Sequence, residues 1–196
     1  MKRVLLGCLL SGVVALPAFA ALKAGASAPD FKTQASLAGK EFTFSLKDAL
    51  KKGPVVVYFY PSAYTRGCNL QAHTFAVNYD KFTAAGATVV GVSLDNIKRL
   101  NQFSADPEYC AGKLPVASDE SGTIAKSYDL SVREAAAGMK DSRGEEIGHG
   151  FAERTTFIVT PDGKVAATVG GQGVSPTDNV DQALKAVQEL AAKKSS

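Results

Sequence analysis

The chain predicts an α/β fold in which a mixed central sheet carries helices on both faces. Three observations predict it. Val55–Tyr60 and Ala87–Leu94 are continuous apolar runs, as a strand buried on both faces requires. Between them Leu70, Phe75, Tyr79 and Phe82 recur at helical spacing. Near the end, Pro161-Asp162-Gly163 separates two strand-like segments that a helix follows. Strands alternating with helices, then a hairpin and a closing helix, imply a sheet covered on both sides.

Each element has its own warrant. Residues 21–39 read as a polar entry, and Lys40–Ser45 alternates as an edge strand does. Ser45 can cap the short helical segment Leu46–Leu50, which Gly53-Pro54 ends. The helix from Cys68 to about Ala84 stops at Gly86, a C-capping residue. Ile97–Phe103 reads as a helix, Leu114–Ala117 as a short strand and Ser121–Tyr128 as a helix. Arg154–Thr160 and Lys164–Val169 form the hairpin. Pro176–Lys194 closes the chain as a helix, with Val180, Leu184, Val187 and Leu190 on one face. Arg133–Gly150 is charged and aperiodic, and reads as a surface loop.

The amino terminus is of a different kind. Met1-Lys2-Arg3, the apolar Val4–Leu16 and the small residues Ala18 and Ala20 have the pattern of a secretory leader cleaved after Ala20. The apolar run is shorter than the roughly 20 residues of a membrane span. Leu6-Gly7-Cys8 faintly resembles a lipoprotein cleavage site, but only Val4 and Leu5 precede it as apolar core. Of the 196 residues, 176 would remain after such a cleavage, enough for one domain, 21–196, with a substantial core. Removing Lys2 and Arg3 from a formal charge of +3 leaves +1. A nearly neutral domain gives no electrostatic reason to bind nucleic acid or an anionic membrane. Of three cysteines Cys68 and Cys110 would remain, and two cysteines in an exported chain suggest a disulfide or a redox pair. The only histidines are His73 and His149, so no metal site and no cofactor are expected.

The candidate chemistry is concentrated in Pro61-Ser62-Ala63-Tyr64-Thr65-Arg66-Gly67-Cys68, between a strand and a helix. First-turn N–H groups and the helix dipole favour an anion there, which is a way to make a thiolate. The structural alternative is a half-buried, inert cysteine. Thr65, three residues before Cys68, falls where its hydroxyl can reach the same reactant or cap the helix.

These residues resemble the active-site signature of the peroxiredoxins (AhpC/TSA superfamily), thiol peroxidases with a thioredoxin-like fold. The signature is Pro, three residues, Thr or Ser, two residues, Cys, and Pro61, Thr65 and Cys68 reproduce it. Ala28-Pro29-Asp30-Phe31 resembles the family's entry segment, and Arg154-Thr155-Thr156-Phe157-Ile158-Val159 its late strand with a catalytic arginine. Val55–Tyr60 and Gly67-Cys68 are similar to the PrxQ, or bacterioferritin-comigratory, branch. The resemblance implies Cys68 as peroxidatic nucleophile, with Thr65, Pro61 and Arg154 around the peroxide and Tyr64 and Phe59 packed about the pocket. Arg154 read alone is equally a surface cation on a strand end.

Many members of that branch place a resolving cysteine five residues after the first; here that residue is His73. The resemblance then leaves Cys110 as the resolving thiol, through a disulfide formed after oxidation, or as an unreactive buried thiol. Bridging needs Cα atoms within roughly 7 Å, so the first turn after Cys68 and the Phe103–Gly112 segment are expected to unwind. The implied partners are a peroxide and a thioredoxin-like or glutaredoxin-like reductant, with the chain a monomer or weak dimer in the periplasm. Three other readings remain, of which a plain structural disulfide protein leaves Thr65, Pro61 and Arg154 unexplained. A disulfide oxidoreductase is disfavoured because Asn69-Leu70-Gln71 follows Cys68, so there is no Cys-X-X-Cys pair. A thiol redox sensor, in which oxidation of Cys68 reshapes a binding surface, stays open.

Overall fold

The computed structural model describes residues 21–171 and 173–195; the expected leader, with Cys8, lies outside them. The strands are β1 (Lys32–Leu37), β2 (Lys40–Ser45), β3 (Val55–Phe59), β4 (Thr88–Ser93), β5 (Val116–Ser118), β6 (Val132–Arg133), β7 (Phe151–Ala152), β8 (Thr155–Val159) and β9 (Val165–Gly170). The helices are α1 (Leu46–Leu50), α2 (Arg66–Ala84), α3 (Ile97–Ala105), α4 (Thr123–Ser127) and α5 (Pro176–Ser195). Seven strands form one sheet, ordered β2-β1-β5-β4-β3-β8-β9, and β6 pairs with β7 apart from it. β3, β4 and β5 are parallel and their neighbours antiparallel, so the sheet is mixed as expected.

The period-2 alternation of a strand divides the interior into two cores. Val56 and Tyr58 of β3 face a cluster with Phe75 and Phe82 of α2, Leu100 and Phe103 of α3, and Val180, Leu184 and Val187 of α5. Val55, Val57 and Phe59 face the opposite cluster, with Leu46 and Leu50 of α1, Ala125 of α4, and Phe31, Tyr128 and Phe157. Phe59 therefore packs on Tyr128 and Phe157 across the sheet from Cys68, not around the cysteine as expected.

Local chemistry sets the ends of the elements. The Ser45 hydroxyl accepts from the Asp48 amide at 3.2 Å, the cap expected of it. α2 closes with Ala87 N–H on the Phe82 carbonyl and Gly86 N–H on the Thr83 carbonyl, at 3.0 and 2.9 Å. Gly86, at φ 79°, supplies the left-handed residue that this closure needs. β1 was not expected. It pairs with β2 through a two-residue turn, Ala38-Gly39, with φ of 50° and 77°. With Ala35 its only buried apolar residue and Leu37 exposed, β1 gives little hydrophobic alternation to read.

Gly91 lets β4 pass beneath Tyr58: a Cβ there would stand 2.5 Å from the phenol ring and its oxygen. Gly91→Ala should therefore destabilise the fold by about 1–3 kcal/mol through overpacking, read as a lower denaturant midpoint. An unchanged midpoint would show that Tyr58 can move aside.

Candidate active site

β3 ends at Phe59, and Tyr60–Thr65 carries the chain across to α2. Thr65 is the N-cap residue and Cys68 the third helical residue, so the sulfur lies in the first turn. Cys68 is buried at 1% exposure, whereas Pro61 and Thr65 are partly exposed. The Thr65 hydroxyl does not bond the helix. It donates to the Ser62 carbonyl at 2.9 Å, closing the loop on itself.

Arg154 immediately precedes β8, which runs antiparallel to β3 with Thr155 opposite Phe59. That pairing brings its guanidinium to the end of β3 where α2 begins. Nη2 donates to Cys68 Sγ at 3.3 Å, and Nη1 donates to Gln71 Oε1. The fork spans two side chains one helical turn apart, Cys68 and Gln71. Gly67 makes room: a Cβ there would lie 3.2 Å from Nη2.

Gln71 is in turn fixed. Its amide nitrogen donates to Asn179 Oδ1 at 2.9 Å, and that oxygen also accepts from Thr156 Oγ1 at 2.6 Å. Asn179 Nδ2 donates to the Val169 carbonyl at 3.0 Å. All three side chains are fully buried, so the relay ties α2, α5, β8 and β9 behind the guanidinium. Sequence reading missed Gln71 and Asn179. The i, i+3 spacing of Cys68 and Gln71 could have revealed the first; nothing local reveals the second.

The loop before α2 is fastened from three sides. Asp95, fully buried just beyond β4, accepts from the Ala63 amide at 2.8 Å, Ser62 Oγ at 3.0 Å and Ser93 Oγ at 2.7 Å. Arg99 of α3 donates to the Ala63 carbonyl at 3.0 Å and pairs with Asp95 and Asp141 at 2.9 and 2.7 Å. The Ser142 amide donates to the Tyr64 carbonyl at 2.9 Å, and the Arg143 guanidinium lies 3.4 Å above the Tyr64 ring. Tyr64 has φ 60°, a conformation costing a non-glycine residue about 1–3 kcal/mol and kept only where surroundings impose it. The segment 133–150 read as a surface loop is thus a brace on Tyr64. Burial works to raise the Asp95 carboxyl, but donors from His149, Ala63 and Ser93 outweigh it and hold the group below the usual carboxylate range.

This geometry accompanies a sequence that matches the AhpC/TSA family over residues 24–168. The chain belongs to that peroxiredoxin family. It is 33% identical over 174 residues to the chloroplastic peroxiredoxin Q of Sedum lineare, covering 88% of this chain and 81% of that one. A solved peroxidoxin BcpB of Mycobacterium tuberculosis superposes with a TM-score of 0.70 at 27% identity, covering 86% of this chain and 98% of that one. Peroxiredoxin Q of Xanthomonas campestris superposes with 0.62 at 26% identity, covering 81% and 90%. Membership implies thiol peroxidase activity and a thioredoxin-like fold, both expected from the signature around Cys68.

Of the expected peroxiredoxin residues, the structure joins Cys68 to Arg154 and sets Thr65 at the head of the same helix. Cys110 lies elsewhere, in the turn after α3, where it is fully buried and not in a disulfide. Burial, with the negative charge of Asp106, pushes its thiol well up. His73 is exposed on α2, and its Nδ1 donates to the Glu108 carbonyl at 2.8 Å, two residues before Cys110.

Replacing Gln71 by Ala should free one arm of the Arg154 fork without touching the sulfur. Cys68 oxidation is expected to slow by about tenfold, and Arg154→Lys, which keeps charge but not the fork, by about a hundredfold. Second-order rates with hydrogen peroxide check both, and a full-rate Arg154→Lys would remove the fork from the mechanism.

Proposed function

We propose that this peroxiredoxin reduces hydrogen peroxide or organic hydroperoxides with Cys68 as nucleophile, Cys110 as resolving thiol and a thioredoxin-like or glutaredoxin-like dithiol as reductant. The observation that carries the reading is the Arg154 guanidinium 3.3 Å from Cys68 Sγ at a helix N-terminus. The Cys68 thiolate attacks the terminal peroxide oxygen, an S–O bond forms as the O–O bond breaks, and the departing oxygen takes a proton to leave as water or an alcohol. Arg154 and the first-turn amides face the charge that develops. Thr65, its own proton given to Ser62, keeps its lone pairs for a peroxide O–H, and Pro61 stiffens the entrance. Cys68 is left as a sulfenic acid.

Cys110 then attacks that sulfur, a disulfide forms and water is lost; two electrons and two protons from the reductant restore both thiols. A thiol raised by burial becomes a nucleophile only on leaving the core. The local unwinding this requires has weak points. Ala111, at φ 53°, stores backbone strain beside Cys110. On the surface, His73 to the Glu108 carbonyl and the exposed Lys113–Asp80 pair at 3.5 Å join the segment to α2.

Cys68→Ser should abolish peroxide consumption, and Cys110→Ser should allow one turnover and then stall with a dithiol reductant. Peptide mapping under non-reducing conditions, after one equivalent of peroxide, should find Cys68 linked to Cys110. A lasting sulfenic acid with no linked peptide sinks the role given to Cys110 and leaves that of Cys68 standing.

We further propose export to the periplasm through the leader 1–20, with the domain 21–196 acting there as a monomer or weak dimer. Supporting it, Leu22 is already tied into the domain: its amide donates to the Tyr128 carbonyl at 3.3 Å and its carbonyl accepts from Thr168 Oγ1 at 2.6 Å. Mass spectrometry of the exported protein should give Ala21 as first residue; a retained Met1 would overturn cleavage.

A further inference from the structure

His149, which takes no part in the proposed peroxide chemistry, has both ring nitrogens against acceptors. Nε2 lies 2.8 Å from Asp95 Oδ1, and Nδ1 lies 2.8 Å from the Gly150 carbonyl oxygen. A carboxylate and a carbonyl can only accept, so each nitrogen must carry a hydrogen, and only the imidazolium carries two. Ser62 Oγ, 3.4 Å from Nε2, offers no escape, because its proton is directed at Asp95 Oδ1 and the Ala63 carbonyl. The same geometry excludes a serine-nucleophile triad: Ser62 is fully buried and donates to the acid, not to the base.

The carboxylate that His149 grips is the one that holds Ser62 and Ala63, six and five residues before Cys68. We propose that protonated His149 is a positioning residue of the peroxidatic loop, and that loss of its proton slackens the loop and slows oxidation of Cys68. The proton is exchangeable. The His149 side chain keeps 18% exposure, at the wall of a cleft of about 530 Å³. The charged groups that line the cleft bear on the ring. Asp95 beyond β4 favours the charged ring, as do Glu145 and Glu146 of the same loop and Glu120 before α4 across the cleft; Lys98 and Arg99 of α3 oppose it. Asp141 lies behind Arg99 and absorbs part of that opposition. Burial works to lower His149, but the Asp95 bond and charge and the Gly150 carbonyl outweigh it and lift the ring above its ordinary 6.5. A raised histidine contributes fully below its unfolded value and loses its contribution as pH climbs through the folded one. The tether is therefore complete under mildly acidic conditions and fades on the alkaline side of 6.5.

The test compares Cys68 oxidation by hydrogen peroxide in the full-length protein and in His149→Gln, from about pH 5.5 to about pH 9. Their rate ratio cancels every pH effect common to the two proteins, and oxidation precedes any step at Cys110. Wild type should lead by about tenfold at the acid end, the size expected of one lost charge-assisted hydrogen bond, and the ratio should fall to one at the alkaline end. A ratio constant with pH would overturn the proposal, since a merely structural histidine would give that. Should the variant fail to fold, ¹⁵N spectra of the wild-type ring decide: two protonated nitrogens at the acid end giving way to one at the alkaline end support the tether, and a ring whose proton count does not change across that range overturns it.

Discussion

The site rests on one register, Phe59 opposite Thr155 in the antiparallel pairing of β3 with β8. The carboxyl end of β3 and the start of β8 meet at the same end of the strands. The loop leaving β3 delivers Cys68 to the first turn of α2, and the residue entering β8 delivers Arg154 to the sulfur. A slip by one residue would turn every side chain of β8 to the other face. Phe157 would leave the core it shares with Phe59 and Tyr128, and Ile158 the core it shares with Tyr58. The hydrophobic pattern that fixes the register for packing thereby fixes the guanidinium for chemistry.

The polar groups behind the site are buried, which is costly unless each has partners. Both relays meet that condition. Asn179 uses its oxygen twice and its nitrogen once, and Asp95 spreads its two oxygens over donors from Ser62, Ala63, Ser93 and His149, with Arg99 beside it. The two divide the labour. Asn179 fixes the arginine from behind, through Gln71, and Asp95 fixes the backbone that leads to the cysteine. Removing a single partner from such a network strands a buried group, so each is rigid as a unit rather than as a set of separate bonds.

How much the sequence made legible depends on where the information lies. The apolar runs at Val55 and Ala87, the Ser45 cap and the Gly86 stop are local, and the structure has all of them within a residue or two. The mixed sheet with helices on both faces follows from their alternation. Cys68, Thr65 and Arg154 were found as a pattern of residue types, and the structure adds the contact between the first and the last. β1 is hard to read because its alternation is polar, and the face of Phe59 is not legible because a strand buried on both sides carries no hydrophobic asymmetry. Gln71, Asn179, Asp95 and His149 are not legible as site residues, since the contacts that bring them to the site span dozens of residues. The charged segment 133–150 looked like solvent-facing loop for the same reason: Asp141, Ser142 and Arg143 find their partners in α3 and at Tyr64.

The fastening is unequal on the two sides of Cys68, and that bears on how a buried thiol can meet it. Upstream, Ser62, Ala63 and Tyr64 are held by buried charge and by a guanidinium over an aromatic ring, contacts that resist solvent. Downstream, the surface ties between α2 and the Cys110 segment include an exposed histidine bond and an exposed ion pair, each worth about 1 kcal/mol or less. Packing retains the segment: Tyr109 against Tyr64 and Phe103, and Cys110 itself in the core. Motion that exposes Cys110 must therefore lift Tyr109 away from Tyr64, while the Arg143 contact and the Ser142 amide keep Tyr64 in place. On the proposed scheme, the loop before Cys68 stays assembled while the resolving side opens. Oxidation and resolution then make separate demands on the fold, the first on the rigidity of the loop before Cys68 and the second on the weak surface ties of the Cys110 segment.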